Sequence, residues 1–322
     1  MKAFVEDFLE RNRKDETNDS EARRLANVCM ERLEKIAILG PRLEIPSTVE
    51  IERDQAGAMV PIRVYTLDGT PRTVDADSFT VCRDVKKQIV QKLGISYSTA
   101  FSLYEFSVEG EEKILDEEIR VLDVFSSWER IARERKLSEA EPFRFLYKAE
   151  LVLKTTEKNL IEDEEAINLM YIQAVHDVVR ERYPGDAKDI PSLAALQLQA
   201  QQGDYKPETH TMEWITEKLP ELVPHSVITG KKGISKKRSS EMSQKIITKY
   251  AKLTGVSTQE AKLSYLDYVQ EWPLYGAAFI TVEVCCLLSR ILIFLAKTTQ
   301  GLSSFHSSGS HLRRLSLGSP RD

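Results

Sequence analysis

Cysteine is scarce in this chain, and its few cysteines are not arranged to bind a metal. Cys29, Cys82, Cys285 and Cys286 are the four among 322 residues, and they form neither a Cys-x-x-Cys pair nor a cluster with histidine. Metal ligation and a disulfide framework are therefore both disfavoured. This usage is typical of a reducing, cytosolic protein, and we predict no metal and no other cofactor.

Long apolar runs and positive net charge are lacking as well. The longest apolar run, residues 284–296, is interrupted by Ser289 and Arg290 and is too short to cross a bilayer. The N-terminus leads into charged residues, so no signal peptide is predicted. The formal net charge is −5, which argues against a general nucleic-acid binder. We expect no transmembrane segment and no nucleic-acid partner.

Catalytic motifs are also missing from the sequence. His176 is followed by Asp177, but no serine or cysteine nucleophile motif accompanies them, so a structural histidine is favoured over a general base. The acidic residues 162–165 come just before an apolar periodic segment, which predicts the acidic first turn of a helix rather than a metal site. The glycine-containing segment 230–233 lacks the spacing of a phosphate-binding loop. The sequence therefore predicts a protein that is not an enzyme.

Residues 167–207 predict two helices with a break between them. The first carries an apolar stripe at helical spacing, formed by Ile167, Met170, Tyr171, Ala174 and Val178, while Glu181 and Arg182 are expected to point to water. Pro184-Gly185 ends it. The second opens near Pro191, buries Leu193, Leu196 and Ala200, and stops at Gly203. Because neither helix is stable alone, a helical bundle is implied.

The residues before this pair of helices change from helical to strand patterns. Residues 1–57 have helical spacing, with a stop at Gly40-Pro41 and a short helix that begins at Ser47. Two apolar faces are expected before that stop, one formed by Phe4, Val5, Phe8 and Leu9 and the other by Ala22, Leu25, Ala26, Cys29, Leu33 and Ile36. From residue 61 onward, strands flank an Asp68-Gly69 hairpin turn. A helix that Thr80 caps follows, and then come strands at 101–107 and 143–147 with a short turn at 121–125 between them. This order of elements is that of a ubiquitin-like fold.

Further helices and one strand are predicted after the central pair. Met242, Ile246 and Tyr250 mark one helix, and Ser257 with Glu260 forms a capping box for the next. Residues 278–284 alternate as a strand. The apolar run after residue 284 has lost this alternation, so we expect it to form a short helix rather than further strands.

Four short sequence motifs, taken in their order along the chain, resemble those of a known family. They are Tyr171-x-Gln173-Ala174-Val175-His176-Asp177-Val178, Arg182-Tyr183-Pro184, Leu193-Ala194-Ala195-Leu196-Gln197 and Gly203-Asp204-Tyr205. They resemble the central helical lobe of a FERM domain, and more narrowly the FERM domain that follows a myosin tail homology 4 (MyTH4) domain. That pair of domains occurs in the tails of unconventional myosins and of one plant kinesin class, and the segment 272–276 is closer to the myosin type. Residues 38–52 are similar to the C-terminal end of a MyTH4 domain.

The resemblance implies an α+β multidomain chain that is truncated at both ends. Its expected parts are the C-terminal part of a MyTH4 domain at 1–57, a ubiquitin-like β-grasp lobe at 58–148, a helical, acyl-CoA-binding-protein-like lobe at 149–271, the first strand of the truncated third FERM lobe at 272–284, and a divergent, largely disordered tail at 285–322.

Two sites are predicted, one basic and one for phosphorylation. Lys231, Lys232, Lys236, Lys237 and Arg238, here called the basic segment, form a cationic stretch that could contact an anionic phospholipid or an acidic filament surface. The alternative is a solvated loop between helices. Ser316 follows two arginines in the manner of a basophilic-kinase site, although such a match in a tail often arises by chance.

The function that the resemblance implies is non-catalytic binding. The chain would be part of a motor-protein tail, cytoplasmic and associated with the cytoskeleton. It would bind actin filaments or microtubules, together with cargo or the tails of membrane proteins. The alternative is a FERM-type linker between membrane phosphoinositides and actin.

Overall fold

The computed structural model describes residue 7 and residues 20–107, 110–136, 142–150, 162–183, 185–230, 233–273, 275–276, 278–282 and 291–295. The chain divides into two units, residues 1–275 and 276–322. The predicted α+β class is confirmed. No helix in the described ranges is long and apolar enough to span a bilayer. The domain limits given above stay predictions.

Two helices form the N-terminal helical segment. They are α1 (Ser20–Leu39) and α2 (Thr48–Gln55), and Ser47 caps α2 by accepting a hydrogen bond from the backbone N–H of Glu50 at 3.2 Å, as predicted. On the predicted apolar face of α1, Ala26 is buried whereas Cys29 and Ile36 are exposed. The expected N-terminal apolar residues Phe4, Val5, Phe8 and Leu9 lie outside the described residues.

A five-stranded mixed sheet and two helices form the ubiquitin-like lobe. The strands are β1 (Val60–Tyr65), β2 (Pro71–Ala76), β3 (Phe101–Ser107), β4 (Glu112–Ile114) and β5 (Phe143–Ala149), in the spatial order β2-β1-β5-β3-β4. The predicted hairpin is confirmed, since β1 and β2 pair antiparallel with Ile62 opposite Val74. Helix α3 (Cys82–Leu93) packs on the sheet through the fully buried side chains Val85 and Ile89.

Two local expectations in this lobe were wrong. The short turn expected at 121–125 is the start of a 15-residue helix, α4 (Val121–Arg135), because apolar residues such as Leu122 and Trp128 continue at helical spacing and are buried. Thr80 does not cap α3. Its hydroxyl donates instead to the Asp77 carboxylate at 2.7 Å, and Val81 occupies the N-cap position without a side-chain cap.

The helical lobe is a bundle around a central helix. Its helices are α5 (Glu164–Val179), α6 (Ile190–Gln202), α7 (Met212–Leu222), α8 (His225–Ile228), α9 (Lys236–Tyr250) and α10 (Thr258–Gln270), with a 3₁₀ turn at Ala251–Leu253 and a short strand pair, β6 (Thr229–Gly230) and β7 (Gly233–Ile234). Helix α6 packs against both α9 and α10. The predicted stripe of α5 is buried, and the capping box of Ser257 and Glu260 is present.

The second unit contains one antiparallel strand pair. Strand β8 (Ala278–Val282) lies where a strand was predicted, and it pairs with β9 (Ile291–Leu295). The expectation that the apolar run after residue 284 forms a helix was therefore wrong for residues 291–295. Five consecutive apolar residues are compatible with a strand as well as with a helix, because periodicity does not separate the two in so short a run.

The ubiquitin-like and helical lobes are joined by side chains of α5 and its N-cap. The Asp163 carboxylate accepts hydrogen bonds from the backbone N–H groups of Ser96 and Tyr97, both at 2.7 Å, and from that of Ala166 at 3.0 Å. The Gln173 amide pairs with the backbone N–H and carbonyl of Ala149 at 2.8 and 3.2 Å. These two side chains therefore provide hydrogen-bond partners to backbone groups of the ubiquitin-like lobe.

An ion-pair network adds to this junction. Glu112 on β4 pairs with Lys148 on β5 and with Arg182, whose guanidinium lies 3.1 Å from the Glu112 carboxylate. Although burial acts in the opposite direction, the hydrogen bond from Lys148 and the charge of Arg182 hold the pKa of Glu112 below its ordinary value. Arg182 is exposed, as expected, with 39% of its side chain accessible, and it also connects the two lobes through this ion pair.

The N-terminal helical segment is attached to the ubiquitin-like lobe by buried polar groups. Arg42 donates from Nε to the Asp123 carboxylate at 2.7 Å and from Nη1 to Glu50. Both carboxylates are almost fully buried, at 4% and 3% exposure. Arg120 donates to the Gly40 carbonyl at 2.6 Å. The segment is thus held at a defined place on the lobe.

Gly185 has no room for a side chain. A Cβ atom placed there would lie 2.3 Å from the indole ring of Trp272, which is itself held by a hydrogen bond to Asp189 at 3.2 Å. Because the indole must move, we expect Gly185→Ala to lower the free energy of unfolding by about 1–3 kcal/mol. Denaturant unfolding measures this. Gly230→Ala is the matched control, since its Cβ would meet only ordinary contacts at 3.6 Å, and an equal loss in both variants would contradict the prediction.

Candidate functional site

The predicted basic segment is partly a helix rather than a loop. Lys236, Lys237 and Arg238 form the first turn of α9, and Ser235 caps it through a long contact of 3.4 Å to the N–H of Arg238. Lys231 and Lys232 lie outside the described residues, as does Ser316. Positive charges at a helix N-terminus are repelled by the positive end of the helix dipole. The three cations therefore destabilise the first turn of α9, which contains no acidic residue.

The three described cations of this segment are exposed, but not all of them lack partners. Lys237 lies 3.9 Å from Glu241 one turn later, and Arg238 donates to the Thr229 carbonyl at 2.5 Å. Glu241, one turn beyond the basic segment, thus offsets part of its positive charge. A diffuse positive patch therefore fits better than a site that coordinates one phosphate group in a fixed geometry.

The ubiquitin-like lobe has a groove that the sequence did not reveal, here called the aromatic groove. It has a volume of about 660 Å³ and lies between α4 and the strands β1, β2 and β5. Its lining consists of Pro61, Ile62, Arg63, Tyr65, Thr73, Phe125, Trp128, Glu129, Ala132, Pro142, Phe143, Arg144 and Phe145. Concave, mostly apolar surfaces with a few polar groups are typical of binding sites.

Trp128 is held in place at the base of the aromatic groove. Its indole N–H donates to the Glu105 carboxylate at 2.7 Å, and its ring lies 4.3 Å from that of Phe145 and 5.8 Å from that of Phe143. The centre of the Phe125 ring lies 5.9 Å from that of Trp128. Phe125 and Phe143 remain partly exposed, so they present a fixed aromatic surface to the solvent.

Charged side chains surround the aromatic groove. Arg144 lies over the rings of Tyr65 and Phe106, at 5.6 and 5.5 Å from their centres, and Arg63 is exposed on the neighbouring strand. Glu129 is the acidic group among the lining residues. Two arginines and one glutamate make this groove locally positive on a chain whose net charge is −5.

The residues considered for catalysis have structural surroundings. His176 Nδ1 lies 3.1 Å from the Asp177 carboxylate, and the pair has neither a serine nor a cysteine among its recorded hydrogen-bond partners in the described part of the chain. Burial raises the pKa of the Cys82 thiol to about 12, which keeps it protonated and unreactive. Glu164 and Glu165 occupy the first turn of α5, as predicted. Among the described residues, no cluster of three potential metal ligands occurs.

Comparisons with known proteins agree with this architecture. Residues 156–279 match the family model for the FERM central domain, and residues 58–151 match that for an RA like domain. Rice (Oryza sativa subsp. japonica) kinesin-like protein KIN-14I is 25% identical over 292 residues, which cover 87% of this chain and 23% of that protein. Drosophila melanogaster myosin-VIIa is 26% identical over 264 residues, which cover 79% of this chain and 11% of that protein.

A solved structure supports the same arrangement of lobes. The C-terminal MyTH4-FERM domain of human myosin 7b, solved in complex with the harmonin-a PDZ3 domain, superposes with a TM-score of 0.65 at 23% identity. The match covers 85% of this chain and 56% of that one. The resemblance predicted from the sequence is thereby confirmed: the chain has the architecture of part of the MyTH4-FERM domains of myosins.

Proposed function

We propose that this chain is a non-catalytic binding segment of a motor-protein tail. It attaches cargo, or filaments of actin or microtubules, through protein–protein contacts in the cytoplasm. The observation that carries the proposal is the aromatic groove, because its fixed rings and its two arginines suit recognition of another protein. The harmonin-a PDZ3 complex of human myosin 7b gives independent support, since a domain of related fold was solved with a protein partner.

A second candidate function is that of a linker between anionic phospholipid and actin. The basic segment favours it, because Lys236, Lys237 and Arg238 are exposed at the start of α9. Each cation near an anionic bilayer contributes about 1 kcal/mol to binding, and this contribution falls as salt rises. Both candidates allow the chain to pellet with actin, so binding to anionic phospholipid vesicles is what distinguishes the second.

Co-sedimentation tests both candidates. We expect the purified chain to pellet with actin filaments or with microtubules, and failure with both would refute the filament-binding part of the proposal. If the basic segment contributes, a variant with Lys231, Lys232, Lys236 and Lys237 replaced by glutamate should lose most of its binding to filaments or to phosphatidylserine vesicles at low salt. At high salt it should differ little from the parent.

The matched control changes the same number of lysines elsewhere on the helical lobe. Lys206, Lys245, Lys249 and Lys252 are all exposed, and replacing them by glutamate changes the net charge equally. Equal binding by the parent and the basic-segment variant at low salt would exclude that segment as a contact. Equal losses in both variants would mean that net charge, rather than this segment, determines binding.

A further inference from the structure

The aromatic groove is built before any partner arrives. Trp128 is fixed by the hydrogen bond to Glu105 and by contacts with the rings of Phe125 and Phe145, and Arg144 lies over two aromatic rings. Fixed side chains lose little conformational entropy when a ligand binds. Such a groove suits a short peptide segment, because a short segment makes few contacts with which to offset the conformational entropy that it loses on binding.

The neighbouring sheet edge is not suited to pairing with an added strand. Strand β2 is at the edge of the sheet, but it begins with Pro71, which has no N–H. The backbone of Asp75 is already satisfied, because the Gln88 amide accepts from its N–H at 3.2 Å and donates to its carbonyl at 2.9 Å. A segment bound here must therefore be recognised through its side chains rather than through backbone pairing.

The charges around the aromatic groove indicate which side chains a bound peptide segment must carry. Among the lining residues Arg63 and Arg144 outnumber Glu129, so the groove favours a partner that carries carboxylates. The exposed parts of Phe125 and Phe143 provide a surface for a large apolar side chain. The complementary ligand carries an apolar anchor next to carboxylates.

We propose that the aromatic groove binds a short acidic peptide segment of a partner protein, in which carboxylates flank one or two large apolar side chains. The anchor packs on Phe125 and Phe143, and the carboxylates pair with Arg63 and Arg144. This inference rests on the proposed protein-binding function and assigns it a site and a ligand class.

Fluorescence polarisation of a labelled peptide tests the proposal on the full chain. The probe is acetyl-DEFLDE-amide, and acetyl-NQFLNQ-amide and acetyl-KKFLKK-amide are the comparison peptides. We expect the acidic peptide to bind about tenfold more tightly than the neutral one at low salt, with the difference shrinking as salt rises. The basic peptide should not bind. Equal affinity for the acidic and neutral peptides overturns the proposal.

Two variants locate the binding site. Arg63→Glu with Arg144→Glu should weaken binding of the acidic peptide at least about tenfold, because attraction becomes repulsion. Arg53→Glu with Arg180→Glu is the control, since both arginines are exposed and lie outside the groove lining and the change in net charge is the same. Ala132→Tyr should fill the groove and weaken binding of every peptide. Circular dichroism and the thermal midpoint check that each variant is folded.

The outcomes separate this inference from the proposed function. If the chain pellets with filaments but does not bind the acidic peptide, the peptide site is refuted and the proposed function stands. If it binds the peptide in the aromatic groove but pellets with no filament, the site stands and filament binding is refuted. Loss of peptide binding in the Arg53 and Arg180 control, equal to that in the groove variant, overturns the assignment of the groove.

Discussion

Replacing Asp163 by alanine should lower the free energy of unfolding by about 3–5 kcal/mol. The carboxylate is 7% exposed and satisfies three backbone N–H groups, those of Ser96, Tyr97 and Ala166. A helix cap alone contributes about 1 kcal/mol, and each hydrogen bond to a charged group contributes about 1.5–3 kcal/mol. The loss should therefore exceed that of an ordinary cap, because two of the three donors belong to the other lobe.

Thr211→Ala is the control for this prediction. Thr211 also caps a helix, but it accepts only one hydrogen bond that supports the cap, from the N–H of Trp214 at 3.3 Å. We expect a loss of about 1 kcal/mol there. Chemical denaturation followed by circular dichroism gives both values. Similar losses in the two variants would show that Asp163 acts as a cap only and does not hold the lobes together.

Replacing Arg42 by alanine should detach the N-terminal helical segment from the ubiquitin-like lobe. The change leaves Glu50 and Asp123, both nearly inaccessible to water, without their cationic partner. Breaking a buried ion pair in this way costs about 3–5 kcal/mol. Hydrogen exchange should therefore increase throughout residues 20–55 while β1, β3 and β5 remain protected.

Arg32→Ala provides the matched control for Arg42. Like Arg42, Arg32 makes two hydrogen bonds to carboxylate oxygens, but both go to Asp54, at 2.5 and 2.9 Å. The side chains of Arg32 and Asp54 are more than 40% exposed. An exposed pair contributes about 0.2–1 kcal/mol, so exchange in residues 20–55 should change little. If both variants increase exchange equally, burial of the carboxylates is not what makes the Arg42 contacts important.

Local patterns predicted much of the fold. The capping box of Ser257 and Glu260, the hairpin at Asp68-Gly69 and the buried stripe from Ile167 to Val178 depend on residues close in sequence, and all three are present. Helix α4 could also have been recognised, since Leu122, Phe125, Trp128 and Ala132 follow helical spacing. This helical spacing was overlooked because a ubiquitin-like fold was expected to have only a short turn there.

The functional surfaces were harder to predict, for a different reason. The aromatic groove joins β1, α4 and β5, and the residues Arg63, Trp128 and Arg144 that meet there are far apart in sequence.

The acidic character of the first turn of α5 was predicted, but the contacts of Asp163 with Ser96 and Tyr97 depend on how two lobes pack. The helical start of the basic segment was detectable, because the buried positions Met242 and Ile246 extend backward to Ser239.

The paired contacts of Asp163 and Gln173 have a mechanical consequence. Under the proposed function the chain would carry tension between a motor and its cargo. A pull that separates the two lobes acts on all four hydrogen bonds that these side chains make to the backbone of the ubiquitin-like lobe. Bonds loaded together yield at a higher force than the same bonds loaded in turn. The two lobes should therefore transmit force as one body and separate in a single abrupt step, which optical-trap extension of the chain would register as one rupture.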